Sequence, residues 1–152
     1  MKRCLIETSV LARLANKDDK QRPDALRAIG LLQEAEIEFC ILPQSLVEFY
    51  VVATRPLDVN GLGATPGQAL TNINEFLSEF TLLSENEAFF DTWRHLVETE
   101  AVLGKQAHDA RLVAGCQVHE VEIILTFNVR HFARLTTRET RITVIDASFN
   151  AL

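Results

Sequence analysis

The stretch CLIETSVLARL (residues 4–14) decides the fold class of this chain. Its first residues are apolar and predict a short buried strand over 3–6, whereas SVLARL has the spacing of an amphipathic helix. A single acid, Glu7, stands between the two patterns. We therefore expect a strand that passes directly into a helix, with Glu7 at the carboxyl end of the strand.

Four more short strands are predicted, separated by segments with helical patterns. They are FCIL (39–42), TLLS (81–84), EIILT (122–126) and ITVI (142–145). Alternation of strands and helices favours an α/β fold with a mainly parallel five-stranded sheet flanked by helices. A length of 152 residues fits one domain over 1–152.

Helix starts and one loop are marked by local sequence. Thr65 with Gln68, and Ser84 with Glu87, each have the capping-box spacing that predicts the start of a helix. The connection over 55–67 is rich in Gly and Pro and is long enough for a mobile loop.

Composition narrows the class of protein. The chain is 47% apolar and 24% charged, which is ordinary for a globular protein and argues against disorder. No segment has the run of about 18 apolar residues needed to span a membrane, and the first residues do not have the pattern of a secretory signal. We expect a cytosolic protein with no membrane partner.

The net charge of −6 opposes loose binding to nucleic acid, because such binding depends on many contacts between basic side chains and phosphates. It is compatible with a nucleic acid held by metal ions and a local basic strip, or with a basic protein partner. The three cysteines, Cys4, Cys40 and Cys116, are far apart and form no CxxC pair, so we expect buried apolar side chains rather than disulfides or a zinc site.

Two acids stand within apolar helical patterns. Glu48 interrupts SLVEFYVVA, and Val51 follows it at helical spacing; Asp109 is followed by Leu112 in the same way. A buried carboxylate usually protonates, pairs or binds a metal. Alternatives remain open for both: Glu48 at an exposed edge or paired with an arginine, and Asp109 paired with Arg111 or capping a turn.

Four of these side chains are predicted to meet. Glu7 and Asn128 follow two predicted parallel strands, whose carboxyl ends form the ligand-binding edge of an open sheet. Glu48 and Asp109 lie in the first halves of helices that can reach the same edge. Asn128 alone would be an ordinary turn or capping residue. Three carboxylates and one amide oxygen suit Mg²⁺ or Mn²⁺, whose charge would relieve the repulsion among the acids.

Five segments carry a resemblance to a known family. They are LIETSVLARL (5–14), SLVEFYVVATRP (45–56), TRPLDVNGLG (54–63), GKQAHDARLVAG (104–115) and ILTFNVRHF (124–132). In these segments the chain resembles PIN-domain ribonucleases, and within them the VapC-type toxins of toxin–antitoxin pairs. The resemblance implies a PIN-like α/β/α sandwich that hydrolyses RNA phosphodiester bonds with Mg²⁺ or Mn²⁺.

The resemblance also implies roles for individual residues and partners. Catalytic and metal-binding roles carry over to Glu7, Glu48, Asp109 and Asn128, and supporting roles to Thr8, Ser9 and Thr126. Apart from the resemblance, the proposed hydrolysis needs side chains that hold RNA phosphates, and the candidates are Arg13, Lys105, Arg111 and Arg130; the alternative for each is a side chain that only solubilises the protein. A homodimer and a small basic antitoxin of VapB type, which covers the groove, are the implied protein partners.

Glu7 departs from the pattern of this family, which normally has Asp at the corresponding position. The extra methylene moves the carboxylate about 1.5 Å further from the backbone, and an error near 1 Å in a catalytic group costs on the order of a hundredfold in rate. The sequence therefore predicts either a weakened ribonuclease or a module that binds an antitoxin or RNA without cleaving it.

A phosphohydrolase of the haloacid-dehalogenase type is disfavoured. That pattern requires an Asp nucleophile after the first strand and a second acid two residues later, and Glu7-Thr8-Ser9 supplies neither. The sequence also has no P-loop and no GxGxxG segment to recruit a nucleotide.

Overall fold

A computed structural model describes residues 1–148, which form five strands and seven α-helices. The strands are β1 (Arg3–Ile6), β2 (Glu38–Ile41), β3 (Thr81–Leu82), β4 (Ile123–Thr126) and β5 (Thr143–Asp146). The helices are α1 (Thr8–Ala15), α2 (Arg22–Glu34), α3 (Pro43–Thr54), α4 (Pro66–Glu79), α5 (Ala88–Thr99), α6 (Gln106–Val118) and α7 (Val129–Ala133). All five predicted strands are confirmed, with ends that shift by one or two residues. Within residues 1–148, no helix is both long enough and apolar enough to cross a membrane.

The five strands form one sheet in the order β3-β2-β1-β4-β5, and every pair is parallel. From β1 the chain builds outward through β2 and β3, then returns to place β4 on the other side of β1. The strand order therefore reverses between β1 and β4, and ligands of open α/β sheets bind at such a switch point. The backbone N–H of Glu7 donates to the carbonyl of Leu125 at 3.1 Å, which places Glu7 at that point.

Helices cover both faces of the sheet. Cys4 and Ile6 point into the core that α1 to α4 cover, whereas Leu5 points into the core under α5 to α7. Parallel strands are buried on both faces, which explains why these segments are apolar throughout rather than alternating. The predicted α/β/α sandwich is confirmed.

The three cysteines are buried and free, as the sequence predicts. Cys4 and Cys116 lie in the two different cores. Burial raises the pKa of all three thiols, that of Cys40 to about 12, so each side chain is neutral.

One capping prediction is confirmed and the other is wrong. Thr65 and Gln68 form a complete capping box at the start of α4. Before α5 the predicted box does not form, because the Asn86 side chain accepts the hydrogen bond from the N–H of Ala88 at 2.9 Å, and Glu87 makes no side-chain cap.

The segment over 55–67 folds back on the end of α3. It contains a short 3-10 helix, Leu57–Val59, and the N–H of Gly63 donates to the carbonyl of Arg55 at 2.9 Å. Gly61 passes so close to Arg55 that an added Cβ would lie 1.9 Å from its carbonyl oxygen. This turn therefore requires glycine at position 61 and fixes the path of the chain beside Arg55.

Candidate active site

A groove of about 560 Å³ opens at the switch point, where β1 and β4 end. Three of the four predicted metal ligands, Glu7, Glu48 and Asn128, line it. Thr8 and Ser9, which were predicted to support the pocket, line it as well. Residues from the start of α1, from α3 and from the loop after β4 are thus brought to one place.

Glu7 is the N-cap residue of α1, and its side chain accepts hydrogen bonds from residues around it. Its Oε2 accepts hydrogen bonds from the N–H of Ser9 at 2.8 Å, from the Ser9 hydroxyl and from the Thr126 hydroxyl at 3.0 Å. Only 6% of Glu7 is exposed, and this burial raises the pKa of its carboxyl, against the hydrogen bonds from Ser9 and Thr126 that lower it. Among the described residues, Oε1 has no hydrogen-bond partner, so it is the oxygen available to a ligand.

Glu48 faces the groove, but the two valines beside it are not buried. Val47 and Val51 are 64% and 49% exposed, so they line a surface, whereas Phe49 lies in the core. The carboxylate is held by polar contacts. Its Oε2 accepts from the Thr8 hydroxyl at 3.1 Å, and its Oε1 accepts from the Gln44 amide at 2.8 Å.

Asp109 lies in the first turn of α6, next to the groove rather than among the residues that line it. Its side chain is 22% exposed and contacts His131, a groove residue, at 3.8 Å. Burial raises the pKa of Asp109 to about 6; the charges of Glu7 and Glu48 also raise it, and those of His131 and His108 lower it. The three carboxylates are therefore close enough to repel one another.

Asn128 and Thr126 occupy the end of β4. The Thr126 hydroxyl accepts from the N–H of Asn128 at 2.9 Å while it donates to Glu7. Asn128 precedes α7, but its side chain does not cap the helix and is exposed at the groove. Its amide is thus available to a ligand, and Thr126 links the ends of the two central strands.

The four basic side chains predicted to hold RNA phosphates differ in position. Arg13 and Lys105 line the groove. The guanidinium of Arg111 instead donates to the side chain of Gln44, and Arg130 is exposed outside the set that lines the groove. We therefore retain only Arg13 and Lys105 as phosphate-binding candidates from that set.

Two basic residues that line the groove, Arg55 and His131, were not predicted from the sequence. His131 follows Asn128 by three residues, and that helical spacing was a usable signal. Arg55 follows the last residue of α3, and nothing local distinguishes it from a solvent-exposed arginine. It reaches the groove only because of how α3 packs beside α1.

Solved structures of other proteins share this architecture. A VapBC2 complex from Rickettsia felis, bound to a promoter DNA fragment, matches with a TM-score of 0.69 and 14% identity over 95% of this chain and 98% of that one. VapBC-1 from nontypeable Haemophilus influenzae matches with a TM-score of 0.66 and 15% identity, over 97% of this chain and 99% of that one. VapC20 from Mycobacterium tuberculosis, a toxin that cleaves the sarcin–ricin loop, matches with a TM-score of 0.62 and 17% identity, over 86% of this chain and 93% of that one.

The chain has the fold of VapC-type toxins. No protein-family model and no curated protein matches the sequence. The VapC-type fold extends over most of the chain, which agrees with the spread of the five resembling segments from residue 5 to residue 132.

The donor atoms in the groove of this VapC-type fold are of the kind that a hard divalent cation prefers. They are carboxylate and amide oxygens, and the raised pKa of Asp109 reflects burial together with repulsion that a cation would relieve. In residues 1–148, however, no three side chains of His, Cys, Asp or Glu are already arranged to hold a metal ion. The free Oε1 of Glu7 is the donor that fits best.

Proposed function

We propose that this chain is a metal-dependent endoribonuclease of VapC toxin type that hydrolyses RNA phosphodiester bonds, weakened by Glu at position 7. One observation supports the proposal above all others. Glu7 and Glu48, from distant segments, line the groove beside Asn128 at the switch point of a VapC-type fold, and Asp109 lies next to it. Carboxylates rarely gather at a half-buried site unless a cation or a proton compensates their charge.

Each residue has a distinct task in this proposal. Glu7, Glu48 and Asp109 would hold Mg²⁺ or Mn²⁺, and Asn128 would orient water at the groove. When bound, such an ion supplies a Lewis acid that activates water and neutralises charge on a phosphodiester. Thr8 holds Glu48 through its hydroxyl.

Ser9, Thr126 and three basic residues complete the proposed site. Ser9 and Thr126 keep one oxygen of Glu7 engaged and leave the other free. Lys105, Arg13 and Arg55 line the groove and would attract the phosphates of RNA. Together they would offset locally the acidic charge of the chain as a whole.

The assignment is tested by Mn²⁺-dependent cleavage of RNA. We expect Glu48→Gln and Asp109→Asn each to lower the rate at least tenfold, since each removes a charged ligand while keeping the shape of the side chain. Glu98→Gln, an exposed acid of α5, is the matched control and should cleave as the wild type does. Wild-type rates in both Glu48→Gln and Asp109→Asn would refute the proposal.

A specific observation also favours the second candidate, a module that binds without cleaving. Three donors bind Oε2 of Glu7, so half of this carboxylate serves to cap α1 rather than to face the groove. A protein in which Glu7 only caps the helix would have lost a metal ligand. The substitution Glu7→Asp separates the two candidates.

We also infer that the chain forms a homodimer and binds a small basic antitoxin. The VapBC2 and VapBC-1 structures that share this fold are toxin–antitoxin complexes. An apolar cleft between α3 and α4, lined by Val47, Val51 and Leu70, supports contact with protein, and the net charge of −6 favours a basic partner.

Native mass spectrometry of the complex purified from its own cells tests both partners. We expect two copies of the chain, each of 17.1 kDa, together with a small basic protein. A lone monomer would contradict both inferences, and a dimer without a second protein would contradict the antitoxin.

A further inference from the structure

The side chain of Gln44 links the proposed site to helix α6. It lies in the first turn of α3, one turn before Glu48. Its Nε2 donates to Glu48 Oε1 at 2.8 Å and to the backbone carbonyl of His108 at 2.8 Å, and its Oε1 accepts from Nη1 of Arg111 at 2.9 Å. One side chain therefore joins the carboxylate of α3 to two groups of α6.

The partners of Gln44 determine which way its amide points. Arg111 has only donors, and the carbonyl of His108 only accepts, so the amide oxygen must face the guanidinium and the NH₂ group must face the carbonyl. That orientation also directs an N–H at Glu48. A flipped amide would place NH₂ against the guanidinium and the amide oxygen against the Glu48 carboxylate.

Arg111 is itself fixed in place. Its Nη2 forms an ion pair with Glu85 at 2.9 Å, and its guanidinium lies 5.8 Å from the centre of the Phe89 ring. A guanidinium held from two sides can hold the amide oxygen of Gln44 in turn. The contacts form a chain from Glu85 through Arg111 and Gln44 to Glu48.

Glu48 depends on these polar contacts for its orientation. Both of its oxygens are occupied, one by Gln44 and the other by Thr8. The neighbouring Val47 and Val51 are exposed, so no apolar wall restricts the side chain. A glutamate on an open helix surface samples several rotamers, and directional hydrogen bonds restrict it to one.

We propose that Gln44 is a positioning residue of the site. It holds Glu48 toward the groove, and Arg111 selects the amide orientation that makes this possible. The inference rests on the proposed function in so far as Glu48 is a metal ligand. It assigns Arg111, which the sequence offered as a phosphate ligand, to the support of a carboxylate.

The test replaces Gln44 by methionine, which is similar in length and cannot form these hydrogen bonds. Isothermal titration with Mn²⁺, without RNA, is expected to show affinity lowered about tenfold, in the range of losses for residues that orient metal ligands. A crystal structure is expected to show the Glu48 carboxylate displaced or in several rotamers. Loss of the hydrogen bonds to α6 lowers the melting temperature whatever the role of Gln44, so the Mn²⁺ affinity of the folded protein and the Glu48 rotamer are the measurements that decide.

Two further variants sharpen the result. Arg111→Met keeps an extended side chain over Phe89 but frees the Gln44 amide, so it should weaken Mn²⁺ binding in the same direction. Gln33→Met, on the exposed side of α2, is the matched control and should bind Mn²⁺ as the wild type does.

The outcomes separate the two proposals. Wild-type Mn²⁺ affinity in Gln44→Met, or a crystal structure of that variant with Glu48 in its original orientation, would overturn the role of Gln44. Absence of Mn²⁺ binding and of RNA cleavage in the wild type would instead refute the proposed function, and the position of Glu48 in the crystal would still decide the role of Gln44.

Discussion

Replacing Glu7 by Asp is expected to raise Mn²⁺-dependent cleavage of RNA about a hundredfold, because a catalytic group misplaced by about 1 Å costs a rate factor of that order. VapC-type toxins, which the chain resembles, normally have Asp at this position. Asp is shorter by one methylene, about 1.5 Å. The free carboxylate oxygen would therefore move toward the backbone, which suits the strict octahedral geometry of Mg²⁺.

The Glu7→Asp protein should fold as the wild type does. Position 7 is the N-cap of α1, and its side chain accepts the N–H of Ser9, the second residue of the helix. Asp is among the preferred residues at an N-cap and can reach the same N–H. Any change in rate can then be attributed to the carboxylate rather than to the stability of α1.

Glu7→Gln is the control for this experiment. It keeps the length of the side chain and an oxygen that accepts from Ser9, but it removes the negative charge, so cleavage should not rise. Rates are measured on a defined RNA with and without Mn²⁺. If Glu7→Asp cleaves no faster than the wild type, the weakened nuclease is the wrong explanation, and the non-cleaving module is favoured.

Asp109→Asn is expected to stabilise the protein near neutral pH while it lowers the proposed activity at least tenfold. Burial holds the pKa of Asp109 at about 6 in the folded protein, against about 3.9 in an unfolded chain. The folded state therefore binds the proton more tightly. The stability from this group is complete below about pH 4 and is lost as the pH rises toward 6.

The magnitude follows from the size of the shift. Two pKa units correspond to about 3 kcal/mol, and partial exposure of the side chain reduces this to about 2 kcal/mol. For a chain of this length, that corresponds to a melting temperature higher by about 4–8 °C in Asp109→Asn near neutral pH. The pH dependence between about 4 and 6 should become flatter in the variant.

Thermal unfolding with EDTA present, at several pH values, measures this effect without metal. Asp91→Asn is the matched control, because Asp91 also lies in the first turn of a helix but is exposed on α5. It loses the same interaction with the helix dipole and should melt no higher than the wild type. A lower melting temperature for Asp109→Asn than for the wild type near neutral pH would contradict the burial argument.

Local sequence was sufficient for the elements of the fold. The five strands are short apolar runs in a polar sequence, and burial on both faces of a parallel sheet demands that pattern. Thr65 and Gln68 specified a helix start because a capping box involves only four neighbouring residues. The start of α5 was misassigned because Ser, Asn and Glu all stand before it, and several of them can cap a helix.

The site was predictable in part. Glu7 and Asn128 were placed correctly at the groove because the carboxyl ends of parallel strands share one edge of a sheet. Glu48 lies at the groove although Val47 and Val51, on its side of the helix, are exposed rather than buried. A hydrophobic pattern reports that a face is apolar, but it does not distinguish a core from an open cleft.

The strands, the helices and the acids that stand among apolar residues were predictable from the sequence, since each depends on the order of near neighbours. The packing of the helices and strands brought the Thr126 hydroxyl to Oε2 of Glu7, Arg55 and His131 to the groove, and Arg111 to Gln44. Those contacts join residues up to 119 positions apart, and they depend on how helices pack on the sheet. A side chain's partner is set by that packing, which no local pattern records.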